Sequence, residues 1–142
     1  NIVPPYNDKS YTTAAVLEYA IKSLNVPHIV ILGHSCCGGI EYGYQLHTNN
    51  IINKNFHFVN KWIGQLEHLF KKTKISDDKN KNQEFEKQNI KNSINNLLTY
   101  PYIVELKKNK KIQIHGLWYE IKSGKVMYLN EESNNFEDLN YL

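Results

Sequence analysis

The run Ile29-Val30-Ile31-Leu32-Gly33-His34-Ser35-Cys36-Cys37-Gly38-Gly39 constrains the fold more than any other part of this chain. Four consecutive aliphatic residues, three of them β-branched, predict a buried strand. Gly33 breaks the run, and Gly38-Gly39 free the backbone for a tight turn into the next element. Upstream, Thr12 or Thr13 can cap a helix whose Leu17, Ala20, Ile21 and Leu24 follow i, i+3, i+4, i+7 spacing. Val26-Pro27 ends that helix, because the residue before proline avoids the α region. Helix, strand and glycine-rich turn into a helix is the rhythm of a mostly parallel α/β sheet flanked by helices. Such sheets gather their chemistry at the carboxyl ends of the strands.

His34 and Cys37 stand at that strand end with H-x-x-C spacing. Imidazole nitrogen and thiolate sulfur are the ligand types Zn²⁺ favours, and a strand-end turn can present both to one ion. Two donors make half a tetrahedral site. Spacing alone fits a packed thiol beside a backbone-satisfied histidine equally well. Cys36, next to Cys37, reads as a small packed or part-exposed thiol. Adjacent cysteines offer no disulfide framework, which favours a reducing, cytoplasmic compartment.

Further along, Glu41 to Leu46 continues a helix and His47 to Phe56 reads as a loop. Val59, Trp62, Ile63, Leu66 and Phe70 predict one amphipathic helix. Lys72 to Lys87 is polar, a loose connection or a solvated helix start. Ile90, Ile94, Leu97 and Leu98 mark another helix, stopped near Tyr100-Pro101. Lys111 to Ile121 alternates as a strand, and Ser123-Gly124 turns it into a second strand at Val126 to Leu129, a C-terminal β-hairpin. The acidic, Asn-rich last dozen residues read as a surface tail.

The 142 residues make a single domain, 1–142, with 41% apolar and 22% charged residues, the balance of a soluble globular chain. No apolar run approaches the ~20 residues of a membrane helix. The net charge of +3 is modest and dispersed. Lys71-Lys72-Thr73-Lys74 and Lys107 to Lys111 read as solvated helix ends and turns, so neither a nucleic-acid nor a membrane partner is expected.

The chain resembles the β-class carbonic anhydrases over most of its length. Asn1-Ile2-Val3-Pro4-Pro5-Tyr6 is similar to the end of the family's R-N-A-G-N-x-V-P-P-Y segment, and Ala15 to Ala20 to its helix before the zinc strand. His28 to Gly39 resembles its h-I-x-x-x-G-H-S-x-C-G-G block, the most specific match. Trp62-Ile63, Asn89-Ile90, Asn96-Leu97, Ile114 to Tyr119 and Ser123-Gly124 follow in the family's order. The resemblance implies a lyase with one Zn²⁺ per intact subunit, hydrating CO₂ reversibly to bicarbonate and a proton. It makes His34 and Cys37 metal ligands and Tyr19 a pocket-lining residue, though a tyrosine on that helix fits ordinary core equally well. Gly38 and Gly39 complete the substrate pocket by permitting close backbone approach to the bound water or bicarbonate, or serve turn geometry alone. His115 reads as a satisfied structural residue, while His28, His47, His57 and His68 have no partner visible in the sequence.

The family's first zinc cysteine and its Asp/Arg dyad, in a C-x-D-x-R pattern, lie upstream of the segment in which this chain begins. The chain is therefore expected to be an N-terminally truncated fragment, lacking strands of the sheet and inactive alone. Its intact form is expected to be a homodimer or higher oligomer. The alternatives are a carbonic-anhydrase-like binding or assembly protein that has lost the chemistry, and a zinc or redox module built around Cys36-Cys37.

Overall fold

The strand that begins at His28 is the reference for everything else in a computed structural model that describes residues 2–8, 11–73 and 80–139. In β1 (His28–His34) side chains alternate, with Ile29, Ile31 and Gly33 buried and His28, Val30, Leu32 and His34 outward. The sequence predicts a strand buried throughout; instead Val30 and Leu32 are 51% and 54% exposed. The cause is that helical packing covers only one face here. That cover is α5 (Lys81–Leu97), whose Ile90 and Leu97 share a core with Ile29, Ile31, Ile114 and Trp118.

The chain reaches β1 through α1 (Tyr11–Lys22). Between β1 and its sheet neighbour it builds α2 (Gly38–Thr48), α3 (His57–Gly64), α4 (Glu67–Lys72), α5 and α6 (Pro101–Lys108). β2 (Gln113–Tyr119) then pairs parallel to β1, with Ile29 opposite Ile114 and Ile31 opposite Gly116. A Cβ on Gly116 would lie 3.0 Å from both Ile90 Cγ2 and Ile94 Cδ1, so glycine lets α5 press directly on the sheet. β3 (Val126–Leu129) pairs antiparallel with β2, completing the expected hairpin. The described sheet is thus mixed, in the order β1-β2-β3-β4, with β1 at one edge.

β4 (Phe136–Asp138) corrects the expected surface tail, since Leu129 pairs with Phe136 and Met127 with Asp138. Phe136 packs against the main core, and that burial outweighs the polar composition around it. A second correction concerns the helix expected across Val59 to Phe70. It is two helices, because at Gly64 the backbone tightens, with Gln65 N–H bonding Trp62 O at 3.3 Å and Leu66 N–H bonding Ile63 O at 2.9 Å. Ile63, Leu66, Leu69 and Phe70 still share one smaller core with Ile40 and Phe85.

The segment before α1 is strapped along the far end of α5. Asn96 Nδ2 donates to Val3 O at 2.8 Å, Tyr100 Oη donates to Pro4 O at 3.0 Å, and Tyr6 N–H donates to Thr99 Oγ1 at 2.8 Å. No helix of the described residues is long and apolar enough to cross a membrane.

Candidate metal centre

His34 is the last residue of β1 and Cys37 the residue that caps α2, so both ligand candidates lie at the carboxyl end of the strand. The short link between them is folded tightly. Ser35 N–H continues the sheet to Tyr119 O at 2.8 Å, and Cys36 then takes a left-handed φ of 56°. That reversal, uncommon for a side chain other than glycine or asparagine, returns the chain to an extended Cys37, from which the helix starts. Gly38 and Gly39 form its first turn. A Cβ on Gly38 would meet nothing within 4 Å, so no packing demands glycine there; on Gly39 it would touch Ile63 and Trp62 at ordinary distances.

His34 Nδ1 lies 2.9 Å from Ser35 O. A carbonyl only accepts, so Nδ1 carries the proton and Nε2 keeps the lone pair available to a metal. A ring nitrogen bonded to backbone is the usual way a ligand histidine is oriented.

The turn is held by two carboxylates that local sequence patterns do not reveal. Glu86 on α5 is only 3% exposed. Its Oε1 accepts the Cys37 N–H at 2.9 Å and its Oε2 accepts the Trp118 indole N–H at 3.1 Å. Burial pushes the Glu86 carboxyl up; the Cys37 N–H, the Trp118 indole and the neighbouring His34 pull it back down. On the other side Ser35 Oγ donates to Glu120 Oε1 and accepts Ile121 N–H, both at 2.9 Å. The one sequence signal for Glu86 is its place on the inward stripe of α5 with Ile90, Ser93 and Leu97, where a carboxylate needs a partner.

Of the residues named for the pocket, Gly38 and Gly39 adjoin Cys37, whereas Tyr19 sits on α1 with its side chain 62% exposed. His115 is indeed partnered, but by His28, for which the sequence shows no partner. The donor set at the turn fits zinc in kind and falls short in number. Among the described residues no three His, Cys, Asp or Glu side chains are grouped to hold one ion.

Helices packed on a mixed sheet make this an α/β protein, with an imidazole and a thiol at the carboxyl end of β1. The sequence model of the carbonic anhydrase family matches residues 1–126. Beta carbonic anhydrase 3 of Arabidopsis thaliana is 35% identical over 131 residues, 87% of this chain and 50% of that protein. A carbonic anhydrase of Helicobacter pylori strain J99 is 31% identical over 148 residues, 98% of this chain and 66% of its own. The β-carbonic anhydrase CcaA superposes with a TM-score of 0.85 over 99% of this chain and 63% of that one, at 24% identity. A structure from a study of two tetrameric β-carbonic anhydrases of Sordaria macrospora gives a TM-score of 0.72 at 28% identity, over 91% of this chain and 64% of that one. The chain belongs to the carbonic anhydrase family, and these relatives place it with the β class. It spans about half to two thirds of the length of the relatives it matches.

Proposed function

We propose that the protein to which this chain belongs hydrates CO₂ reversibly to bicarbonate and a proton, with zinc held by His34 and Cys37. The observation that carries this reading is the turn itself: a histidine whose Nδ1–H is tied to backbone, three residues before a cysteine at a helix start, inside a carbonic anhydrase frame. Zinc, when bound, supplies a hydroxide nucleophile near neutral pH by lowering the pKa of water to about 7. His34 offers Nε2, Cys37 offers Sγ, and Glu86 fixes the backbone between them and α2. Gly38 leaves the approach to the turn clear of side chains. CO₂ is small and apolar, so a few apolar walls, with Tyr19 among them, suffice beside the metal.

A third protein ligand has to come from outside the described residues, because the only other thiol, Cys36, adjoins Cys37. With two donors at the turn and no third grouped with them among the described residues, residues 1–142 alone are inferred to bind zinc weakly and to turn over little CO₂. The exposed Tyr6 and Tyr11 near the start of the chain, together with the tetrameric β-carbonic anhydrases among its structural relatives, favour a homodimer or larger assembly in the intact protein. The two free thiols suit a reducing, cytoplasmic setting. The same missing third donor is what favours the competing reading, a binding or assembly protein without chemistry.

The test compares residues 1–142 with a version extended upstream, measuring zinc per chain and CO₂ hydration by stopped flow. One zinc per chain and activity in the extended form, both lost in His34→Ala and Cys37→Ser, support the enzyme. A folded, extended protein without zinc or activity points to the assembly role. Full zinc and activity in residues 1–142 would show that this chain completes the site itself.

A further inference from the structure

The outward face of the sheet carries a second pair of metal-ligand side chains that the H-x-x-C turn does not use. His28 opens β1, and His115 stands on β2 opposite Val30, so the two histidines are diagonal neighbours on one face. His28 Nδ1 and His115 Nε2 are 3.0 Å apart, with ring centroids 5.2 Å apart and planes tilted by 36°. The pair opens onto a groove of about 990 Å³ shared with Val30, Lys110, Gln113 and Leu117. His34 terminates the same strand six residues on, roughly 20 Å away at the rise of an extended chain, so the two places are distinct.

A 3.0 Å separation permits one imidazole to donate to the other's lone pair, which is the bond present in the structure. It also matches a different occupant. With metal–nitrogen bonds of about 2.0–2.1 Å, two nitrogens 3.0 Å apart subtend about 90–97° at the metal. That is the angle between adjacent ligands in the tetragonal geometry of Cu²⁺ and Ni²⁺, and it is narrow for tetrahedral zinc. Strand register keeps the two side chains adjacent on one face. Their nitrogens point nearly at one another, so the ion would sit beside that line and each ring would turn about its side-chain torsions to meet it.

We propose that His28 and His115 form a two-imidazole site for a tetragonal divalent cation, Ni²⁺ or Cu²⁺, separate from the H-x-x-C turn. Binding breaks the imidazole–imidazole hydrogen bond, and the proton of the donor ring moves through solvent to that ring's other nitrogen, so both ligands stay neutral. His28 Nδ1 and His115 Nε2 each form one bond to the ion, and water from the groove fills the other positions. The ion then ties β1 to β2 at the end of the sheet away from His34.

The experiment titrates the purified protein with Ni²⁺, chosen because it does not oxidise the free thiols Cys36 and Cys37. Calorimetry on the unsubstituted protein, His28→Gln and His115→Gln should show affinity for one Ni²⁺ falling at least about tenfold in each variant. Loss of an outer-shell partner alone costs about 10- to 100-fold, so loss of a ligand should cost no less. Far-UV circular dichroism checks that both variants fold. Ring-nitrogen NMR is run on Cys37→Ser, which disables the H-x-x-C pair as a competing site: one equivalent of Ni²⁺ should broaden the His28 and His115 signals and leave those of His47, His57 and His68 sharp. Unchanged affinity in both variants, or sharp His28 and His115 signals at one equivalent, overturns the proposal.

Discussion

The Cys37 N–H donates to Glu86 Oε1 at 2.9 Å across 49 residues of sequence. A buried carboxylate from another helix thus takes the place of the capping side chain that the start of α2 lacks. The same carboxylate receives the Trp118 indole, so the turn, α5 and β2 meet at one group.

Glu86→Ala leaves two buried donors without an acceptor, each worth about 1–3 kcal/mol, against which the relief of a buried charge gives something back. A net loss of about 2–4 kcal/mol is expected in urea unfolding, with Glu86→Gln intermediate because its amide retains one acceptor. A Glu86→Ala protein within about 0.5 kcal/mol of the parent would show that the turn stands without this carboxylate.

Ser35→Ala removes a hydroxyl that both donates to Glu120 and accepts the Ile121 N–H. Stability should fall by about 1–2 kcal/mol. The Ser35 hydroxyl is also the main influence holding the Glu120 carboxyl below its usual 4.5, so NMR titration of the variant should find Glu120 higher than in the parent.

Gly43→Ala tests the smaller core. A Cβ there would stand 2.6 Å from Phe70 Cε2, and the ring cannot swing freely because it stacks on His47 and packs against Phe85. The helix gains propensity from alanine, about 1 kcal/mol at most, and overpacking costs about 1–3 kcal/mol. A lower melting temperature is expected, partly restored by adding Phe70→Leu.

Glu137 carries a pH dependence. Ser133 Oγ donates to its Oε1 at 2.8 Å, while Tyr128 Oη at 2.9 Å and Asn130 Nδ2 at 3.2 Å donate to its Oε2. These bonds, that from Ser133 first, lower its carboxyl below 4.5 in the folded protein. The folded state then holds fewer protons than the unfolded one in that window. This stabilisation is present above pH 4.5 and lost as pH falls through the folded value. In Glu137→Gln the acid-side slope of stability against pH should flatten. The Tyr128 phenol, raised above 10.0 chiefly by its bond to Glu137, should titrate closer to 10.0 in an ultraviolet difference titration.

Local periodicity made β1, β2, the hairpin and the amphipathic helices legible, because alternation and 3.6-residue spacing are properties of contiguous residues. The H-x-x-C turn was legible for the same reason, with strand, glycine and ligand types adjacent in sequence. Glu86 was not, since a glutamate in a lysine-rich helix reads as solvated until Trp118 and Cys37 are seen to face it. The contact between His28 and His115 depends on the register of two strands far apart in the chain, which no local pattern encodes. β4 was hidden by the polar residues on either side of Phe136, whose packing only the assembled core explains.

The long excursion between β1 and β2 also dictates an order of events during synthesis. The bond from Ser35 to Glu120 closes a separation of 85 residues, and that from Val3 to Ser93 one of 90. A chain leaving the ribosome at about 5–20 residues per second exposes its H-x-x-C turn for several seconds before β2 exists to fix it. The strand that carries His34 is thus among the last parts to settle. Any ion that reaches Cys37 in that interval meets an unformed turn, because the parallel pairing of β1 with β2 joins strands far apart in the chain.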